Sequence, residues 1–173
     1  MLKILNMGHG LIGFIMFMVG AAAAAEQSQP AQTQQVQMRG VAGQAHGTVS
    51  LQQTAKGVLL TAALKNLPAG THGFHLHQNA ACTPSFKAAG GHFNPTGKAH
   101  GFHAPDGPHI GDMPNIHVPA SGDLTIEIFL SALSLDPTAM PGTVMIHHGA
   151  DDYISQPSGA AGSRIACGEI NLN

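Results

Sequence analysis

The stretch GTVSLQQTAKGVLLTAALKNL, residues 47–67, decides the fold. Apolar and polar side chains alternate through residues 47–54 and again through residues 57–67, and the short turn AKG separates the two runs. Because successive side chains of a β-strand point to opposite faces, this period of two predicts two strands that each bury one face. The proline and glycine of LPAG, residues 67–70, end the second strand.

The rest of the chain continues this pattern of short strands. The alternation recurs in DLTIEIFL (123–130), and three further segments have the composition of short strands: GFHLHQ (73–78), TVMIHH (143–148) and SRIACGEINL (163–172). No segment has the periodicity of a convincing amphipathic helix. We therefore expect an all-β fold, an antiparallel sandwich or barrel.

The composition points to metal chemistry. A chain of 173 residues suggests one domain, large enough to bury its own core. Twelve histidines stand beside only nine acidic and seven basic residues, and neutral imidazole is the commonest metal ligand in proteins. The net charge of -2 and the lack of a basic stripe exclude nucleic acid as an expected partner.

The first 25 residues have the organisation of a signal peptide. Lys3 supplies a positive start, Leu11 to Val19 an apolar core, and AAAAAEQ, residues 21–27, a cleavage point after Ala25. The apolar run is shorter than the roughly 20 residues that a transmembrane helix needs. We therefore expect a periplasmic or secreted protein with no membrane attachment after removal of residues 1–25; a retained anchor is the alternative.

Two further segments lack a strand pattern. EQSQPAQTQQVQ, residues 26–37, is rich in Gln and short of apolar residues, so we expect a flexible tail over residues 26–35 and a folded domain over residues 36–173. The interval from Asn79 to Pro119 is rich in Gly, Pro and His. Loops of that length are uncommon in compact domains. We expect a disulfide or metal coordination to order it.

Export bears on Cys82 and Cys167, the only two cysteines of the chain. In an oxidising compartment we expect a disulfide between them, which would destabilise the unfolded chain by about 4 to 5 kcal/mol in the chain-entropy model. Joined cysteines cannot serve as thiolate ligands, so a blue-copper site is excluded. Two buried free thiols are the alternative.

The histidines form two candidate metal-binding sets. His75 and His77 leave the same face of one predicted strand, although the alternation of any half-exposed strand would place them there too. In the long loop, three imidazoles and a carboxylate make a set that suits zinc: His92, His100, His109 and Asp112. Four positions make an all-nitrogen set that suits copper(II): His75, His77, His147 and again His92.

Five motifs resemble those of the copper/zinc superoxide dismutase family, in its bacterial exported form. They are GFHLH, GGHFNP, HIGD, MIHHGADD and GSRIACG, and the likeness runs from about residue 36 to the C-terminus. The resemblance implies an immunoglobulin-like Greek-key sandwich or barrel with long metal-binding and active-site loops. It also implies an antioxidant enzyme that converts superoxide to dioxygen and hydrogen peroxide by alternating reduction and oxidation of a histidine-bound copper bridged to a structural zinc.

The resemblance assigns a role to each matching position. It implies that the copper ligands are His75, His77, His92 and His147, and that the zinc ligands are His92, His100, His109 and Asp112. His92 would bridge the copper and zinc ions and take part in catalysis. Asp151 would join the unused ring nitrogens of His75 and His100, and Arg164 would hold the superoxide anion. The Cys82–Cys167 disulfide would secure the metal-binding loop.

The match is weaker after Asp152. YISQPSGAAG, residues 153–162, is short and uncharged, whereas many family members carry lysine and glutamate there to guide superoxide inward. Lys87 or Lys98 would have to supply that positive potential, unless both are ordinary surface lysines.

Other histidines are not expected to bind metal. We expect His148 on the surface, His72 buried and bonded to backbone, and three histidines exposed to solvent: His46, His103 and His117. Two other functions stay open, an exported copper/zinc-binding protein without dismutase turnover and a zinc hydrolase, although Asp112 would close the position that a hydrolase leaves to water. A monomer and a homodimer are both compatible with the sequence.

Overall fold

The computed structural model describes residues 32–171 of the chain. The expected signal peptide over residues 1–25 lies outside the described residues, as do residues 26–31 of the expected tail. The described part forms these strands: β1 (Thr33–Gly40), β2 (Ala45–Thr54), β3 (Gly57–Leu64), β4 (Gly70–His72), β5 (Phe74–His77), β6 (Ile116–Val118), β7 (Leu124–Leu130), β8 (Thr143–His147) and β9 (Arg164–Glu169). One short 3₁₀ helix spans Phe86–Ala89.

The strands confirm the predicted all-β antiparallel fold. Seven of them form one sheet in the order β5-β8-β9-β1-β2-β3-β7, which curls into a half-barrel, and β4 pairs with β6 in a second, small sheet. All pairs are antiparallel. Among residues 32–171, no helix has the length and apolar character that crossing a membrane requires.

The predicted pair β2 and β3 forms as the sequence pattern indicates. The two strands pair from Gly47 opposite Leu64 to Thr54 opposite Gly57, and alternate side chains such as that of Leu51 are buried. Strand β1 begins at Thr33, earlier than the boundary at residue 36 expected from composition. The reason is backbone pairing with the end of β2, which glutamine and threonine can make as well as apolar residues can.

The core determines where the histidines of β5 point. Phe74 and Leu76 are fully buried in the main apolar cluster. Alternation along the strand therefore turns His75 and His77 to the opposite face, where they are also fully buried. The long loop covers that face.

The long loop lies against β5 through backbone hydrogen bonds. The N–H of Leu76 donates to the carbonyl of Gly111 at 2.8 Å, and the N–H of Phe93 donates to the carbonyl of Leu76 at 2.8 Å. Gly111 allows this approach, because a Cβ there would overlap the carbonyl oxygen of Leu76. The long loop thus places His92 next to His75 and His77 of β5.

Candidate metal centre

The structure brings together the four residues of the predicted copper set. Their candidate ligand atoms lie within 4.8 Å of one another, and all four residues are buried: His75, His77, His92 and His147. His147 ends β8, which pairs with β5, and His92 reaches the same face through an isolated bridge to His77. Two strands and the long loop therefore contribute to one site.

Each histidine of this set presents one free nitrogen to the others. Within the described residues, four buried nitrogens of the set have no hydrogen-bond partner: His75 Nδ1, His77 Nε2, His92 Nε2 and His147 Nε2. The opposite nitrogens are occupied: His75 Nε2 lies 2.7 Å from Asp151 Oδ2, His77 Nδ1 3.0 Å from the Gly90 carbonyl, His92 Nδ1 2.7 Å from Asp112 Oδ1, and His147 Nδ1 3.3 Å from the Gly162 carbonyl. A neutral imidazole that donates from one nitrogen carries a lone pair on the other. The four lone pairs face one another.

Burial keeps three of these imidazoles neutral. Desolvation, with the neighbouring charge of His92, lowers the pKa of His77 to about 2. Desolvation also lowers the pKa of His147 to about 3, and that of His75 to about 4 although the hydrogen bond to Asp151 opposes the shift. At neutral pH the lone pairs of His75, His77 and His147 are therefore free of protons.

The structure also brings together the predicted zinc set. Its four members are buried, with candidate ligand atoms within 4.8 Å of one another: His92, His100, His109 and Asp112. The Asp112 carboxylate lies at the centre, 2.7 Å from His92 Nδ1 and 3.1 Å from His109 Nδ1. His100 Nδ1 lies 3.1 Å from the carboxylate but is not aligned for a hydrogen bond. All three histidines thus offer Nδ1.

Asp112 is held as a carboxylate. Burial alone would raise its pKa, but the hydrogen bonds from His92 and from the backbone N–H of Gly101 outweigh burial and keep the pKa of Asp112 well below its usual range. One anion among three imidazoles is a donor set that suits zinc.

His92 belongs to both sets. Its Nε2 faces the first set and its Nδ1 faces Asp112 in the second. The ring of His92 lies between those of His75 and His109, with centroids 4.0 Å and 5.5 Å away. One imidazole therefore contributes a candidate ligand atom to each set.

Asp151 connects the two sets from behind. Its Oδ2 accepts from His75 Nε2 at 2.7 Å, and its Oδ1 lies 3.0 Å from His100 Nε2. Burial opposes ionisation, but the hydrogen bonds from these two histidines hold the pKa of Asp151 well below its usual range. The side chain of Asn115, which the sequence analysis did not identify, pairs with both the N–H and the carbonyl of Asp151 at 2.8 Å.

Arg164 begins β9 beside the first set and is half-buried. Its guanidinium donates to the carbonyls of Phe86 and Gly90, the latter at 2.6 Å. The segment that carries these carbonyls is tied to β9 by the predicted disulfide, which the structure confirms: Cys82 and Cys167 are joined. A cleft of about 660 Å³ opens beside Arg164, and the cations Arg39 and Lys87 also line it.

The other histidines mostly lie where they were expected. His148 is exposed, as are His103 and His117. His72 is buried, with both ring nitrogens 2.9 Å from backbone carbonyls. The expectation for His46 is wrong.

His46 is buried, and its Nδ1 lies 3.0 Å from the carbonyl of Lys65. The register of β1 against β2 shifts between Gln37 and Arg39, so the inward and outward alternation of β2 does not extend to His46.

Residues 45–170 match the family profile described as copper/zinc superoxide dismutase. Copper/zinc superoxide dismutase 2 of Aquifex aeolicus is 42% identical over 137 residues, which cover 74% of this chain and 80% of that protein. The copper/zinc superoxide dismutase of Photobacterium leiognathi is 40% identical over 141 residues, 74% of this chain and 80% of its own length.

Solved structures with the same fold include related proteins. A superoxide dismutase-like protein from Bacillus subtilis superimposes with a TM-score of 0.74 at 33% identity, covering 79% of this chain and 97% of that chain. The copper/zinc superoxide dismutase of Brucella abortus superimposes with a TM-score of 0.70 at 30% identity, covering 81% of this chain and 100% of that one.

Proposed function

The chain belongs to the copper/zinc superoxide dismutase family, and we propose that it acts as an exported dismutase whose two ions share His92. The family uses copper and zinc, and the enzyme's substrate follows from the family as superoxide. We assign the ligands by the donor chemistry of each set. The four-nitrogen set suits copper: His75, His77, His92 and His147. The set with three nitrogens and one carboxylate suits zinc: His92, His100, His109 and Asp112.

The shared position of His92 carries this proposal. Four mutually facing lone pairs in a buried site are costly unless a cation occupies the space between them, because buried polar atoms otherwise lack a partner. When bound, copper would supply one-electron redox chemistry and zinc a fixed positive charge that does no redox chemistry.

The residues of the chain would manage the anion and the protons. Dismutation converts two superoxide anions and two protons into dioxygen and hydrogen peroxide. Arg164 would attract and orient the anion, because two carbonyls already hold its guanidinium beside the copper set. His92 Nε2 would hold one of the protons, since it is the atom of the shared ring that faces the copper set.

Metal analysis together with superoxide decay tests the function. We expect one copper and one zinc per chain. We also expect rapid loss of superoxide, measured by pulse radiolysis on protein of known metal content. Both metals without superoxide loss would favour an exported metal-binding protein, and zinc alone would favour that protein or a zinc hydrolase.

Export is supported by two independent features. The Cys82–Cys167 disulfide is typical of oxidising compartments, and the first residues have the pattern of a cleavable leader. We expect the mature protein in the periplasmic fraction with Glu26 as its first residue. N-terminal sequencing of the fractionated protein checks this, and a cytoplasmic protein starting at Met1 would contradict it.

A further inference from the structure

The side chain of Gln156 pairs with the backbone of a single residue, His100. Its Oε1 accepts the N–H of His100 at 2.9 Å, and its Nε2 donates to the carbonyl of His100 at 3.0 Å. The same Nε2 also donates to the carbonyl of Ile154 at 3.0 Å. The amide therefore gives His100 the two hydrogen bonds that a neighbouring strand would give.

His100 needs such a partner because it lies on no strand or helix. Its ring is fully buried, with Nε2 3.0 Å from Asp151 Oδ1 and Nδ1 3.1 Å from Asp112 Oδ2. Asp151 and Gln156 lie on one loop, so that loop holds both the ring and the backbone of His100.

The loop that carries Gln156 is closed on itself. The N–H of Asp152 donates to the carbonyl of Gly159 at 2.9 Å, and the N–H of Gly159 donates to the carbonyl of Ser155 at 2.7 Å. No charged residue occurs between Asp152 and Arg164 in the sequence. The segment therefore has hydrogen-bonding groups for holding a neighbouring loop, and no charge of its own for guiding an anion.

We propose that Gln156 is a positioning residue for the zinc ligand His100, and that residues 152–159 serve in this chain to hold the part of the long loop that carries His100. This inference rests on the proposed function, because it takes His100 as a ligand. It goes beyond that function in assigning a specific role to an uncharged loop. Groups that orient a ligand typically change metal affinity by about 10- to 100-fold. Gln156 is exposed, so we expect the low end.

Three variants separate positioning from general stability. Gln156→Ala removes all three hydrogen bonds. Gln156→Glu keeps the acceptor for the His100 N–H and loses the donors. Gln37→Ala, an exposed glutamine of β1 outside both loops, is the matched control. The readouts are the rate of zinc release to a chelator from copper- and zinc-loaded protein, the visible absorption of protein with cobalt(II) in place of zinc, and thermal unfolding of metal-free protein.

We expect Gln156→Ala to release zinc about tenfold faster and to shift the cobalt bands, Gln156→Glu to lie between it and wild type, and Gln37→Ala to match wild type. Unchanged zinc release and cobalt bands would overturn the proposal. So would faster zinc release that only follows a matching loss of thermal stability without metal. If the wild-type protein shows no dismutase activity but Gln156→Ala still releases zinc faster, the proposed function is rejected and the role of Gln156 is supported.

Discussion

The identity of the free nitrogen on each ring is settled at the scale of single residues. His75 presents Nδ1 because Asp151 takes its Nε2, whereas His77 and His147 present Nε2 because carbonyls take their Nδ1. Neighbouring acceptors thus select both the tautomer and the direction of each lone pair. Loss of one of these acceptors would remove the preference for that tautomer. The ring proton could then move to the nitrogen that faces the other histidines of the set.

Arg164 provides a direct test at this scale. We expect Arg164→Gln to slow superoxide loss about tenfold, the low end of the effect of a focused charge on encounter rates, while copper and zinc contents stay at wild-type values. The reason is that the guanidinium donates to the carbonyls of Phe86 and Gly90 and to none of the proposed ligand side chains. It shares the Gly90 carbonyl with His77 Nδ1, and that carbonyl remains in the variant. Pulse radiolysis on metal-quantified protein measures it. Lys98→Gln, which removes an exposed cation outside the cleft, is the control; full activity or metal loss in Arg164→Gln would contradict the role.

The buried histidines predict a pH dependence of stability for protein prepared without metal. The folded-state pKa values of about 4 for His75, about 3 for His147 and about 2 for His77 lie below the ordinary value of 6.5. Between pH 6.5 and 4 the unfolded chain therefore binds more protons, and the free energy of unfolding falls as pH falls, by about 1.4 kcal/mol per pH unit for each histidine. The lowered pKa values of Asp112 and Asp151 extend the loss below pH 4.

Urea unfolding at pH 7, 6, 5 and 4 checks this dependence. His77→Gln removes one titrating group and should give a shallower slope between pH 6.5 and 4, whatever its stability at pH 7. A free energy of unfolding that stays constant over this interval, in the metal-free wild type, would show that the rings are not buried as neutral groups.

The sequence predicts the residues that could bind metal better than the residues that position them. Histidine spacing and family motifs identify both sets and Asp151, because imidazole and carboxylate have few other uses at such density. The roles of Asn115 and Gln156 are not predictable from the sequence, since an amide acquires its hydrogen-bond partners only once two loops have folded together. The predicted exposure of His46 is wrong because the amino-acid composition of two strands does not reveal a shift in their pairing register.

At the scale of elements, the loop of residues 152–159 depends on Gly159. This residue has φ +68, and an added Cβ would overlap Asp151 Oδ1 and lie 2.7 Å from His100 Nε2. The loop backbone thus packs against the hydrogen bond that joins the two sets. Only glycine fits both the left-handed conformation and the space.

Gly159→Ala should therefore lower zinc retention as well as stability. Gly162→Ala is the matched control, because its φ of +79 imposes similar strain while its nearest neighbour lies 3.9 Å from the added Cβ. We expect both variants to lose about 1 kcal/mol of stability from backbone strain, and Gly159→Ala alone to lose zinc on dialysis. Equal zinc contents in the two variants would contradict this account.

Elements with several alternating residues were predictable, and shorter ones were not. The runs that form β2, β3 and β7 alternate over enough residues to define a period, and the runs that form β5, β8 and β9 have the composition of strands. Strands β4 and β6 have three residues each, and the helix at Phe86–Ala89 has four, so no period exists to detect. Pairing between strands and the disulfide place these short elements.

At the scale of the whole molecule, charge is sparse and local. The net charge is -2, so the molecule as a whole repels an anion weakly. Among the described residues, those lining the cleft beside Arg164 include the cations Arg39 and Lys87 and no acid. This cleft therefore carries three positive charges, and Lys98 lies outside it on the long loop.

This distribution favours Lys87 as the guiding lysine. A charge that steers an anion raises the rate at low ionic strength and loses its effect as salt screens it beyond a Debye length of about 10 Å at 0.1 M. We expect Lys87→Ala to lower the rate of superoxide loss at low salt and to flatten its decline with salt, because the substitution removes the screened interaction. Lys98 is also exposed but lies outside the cleft, so Lys98→Ala should retain the wild-type salt dependence. Identical salt titrations for Lys87→Ala and wild type would show that Lys87 is an ordinary surface charge.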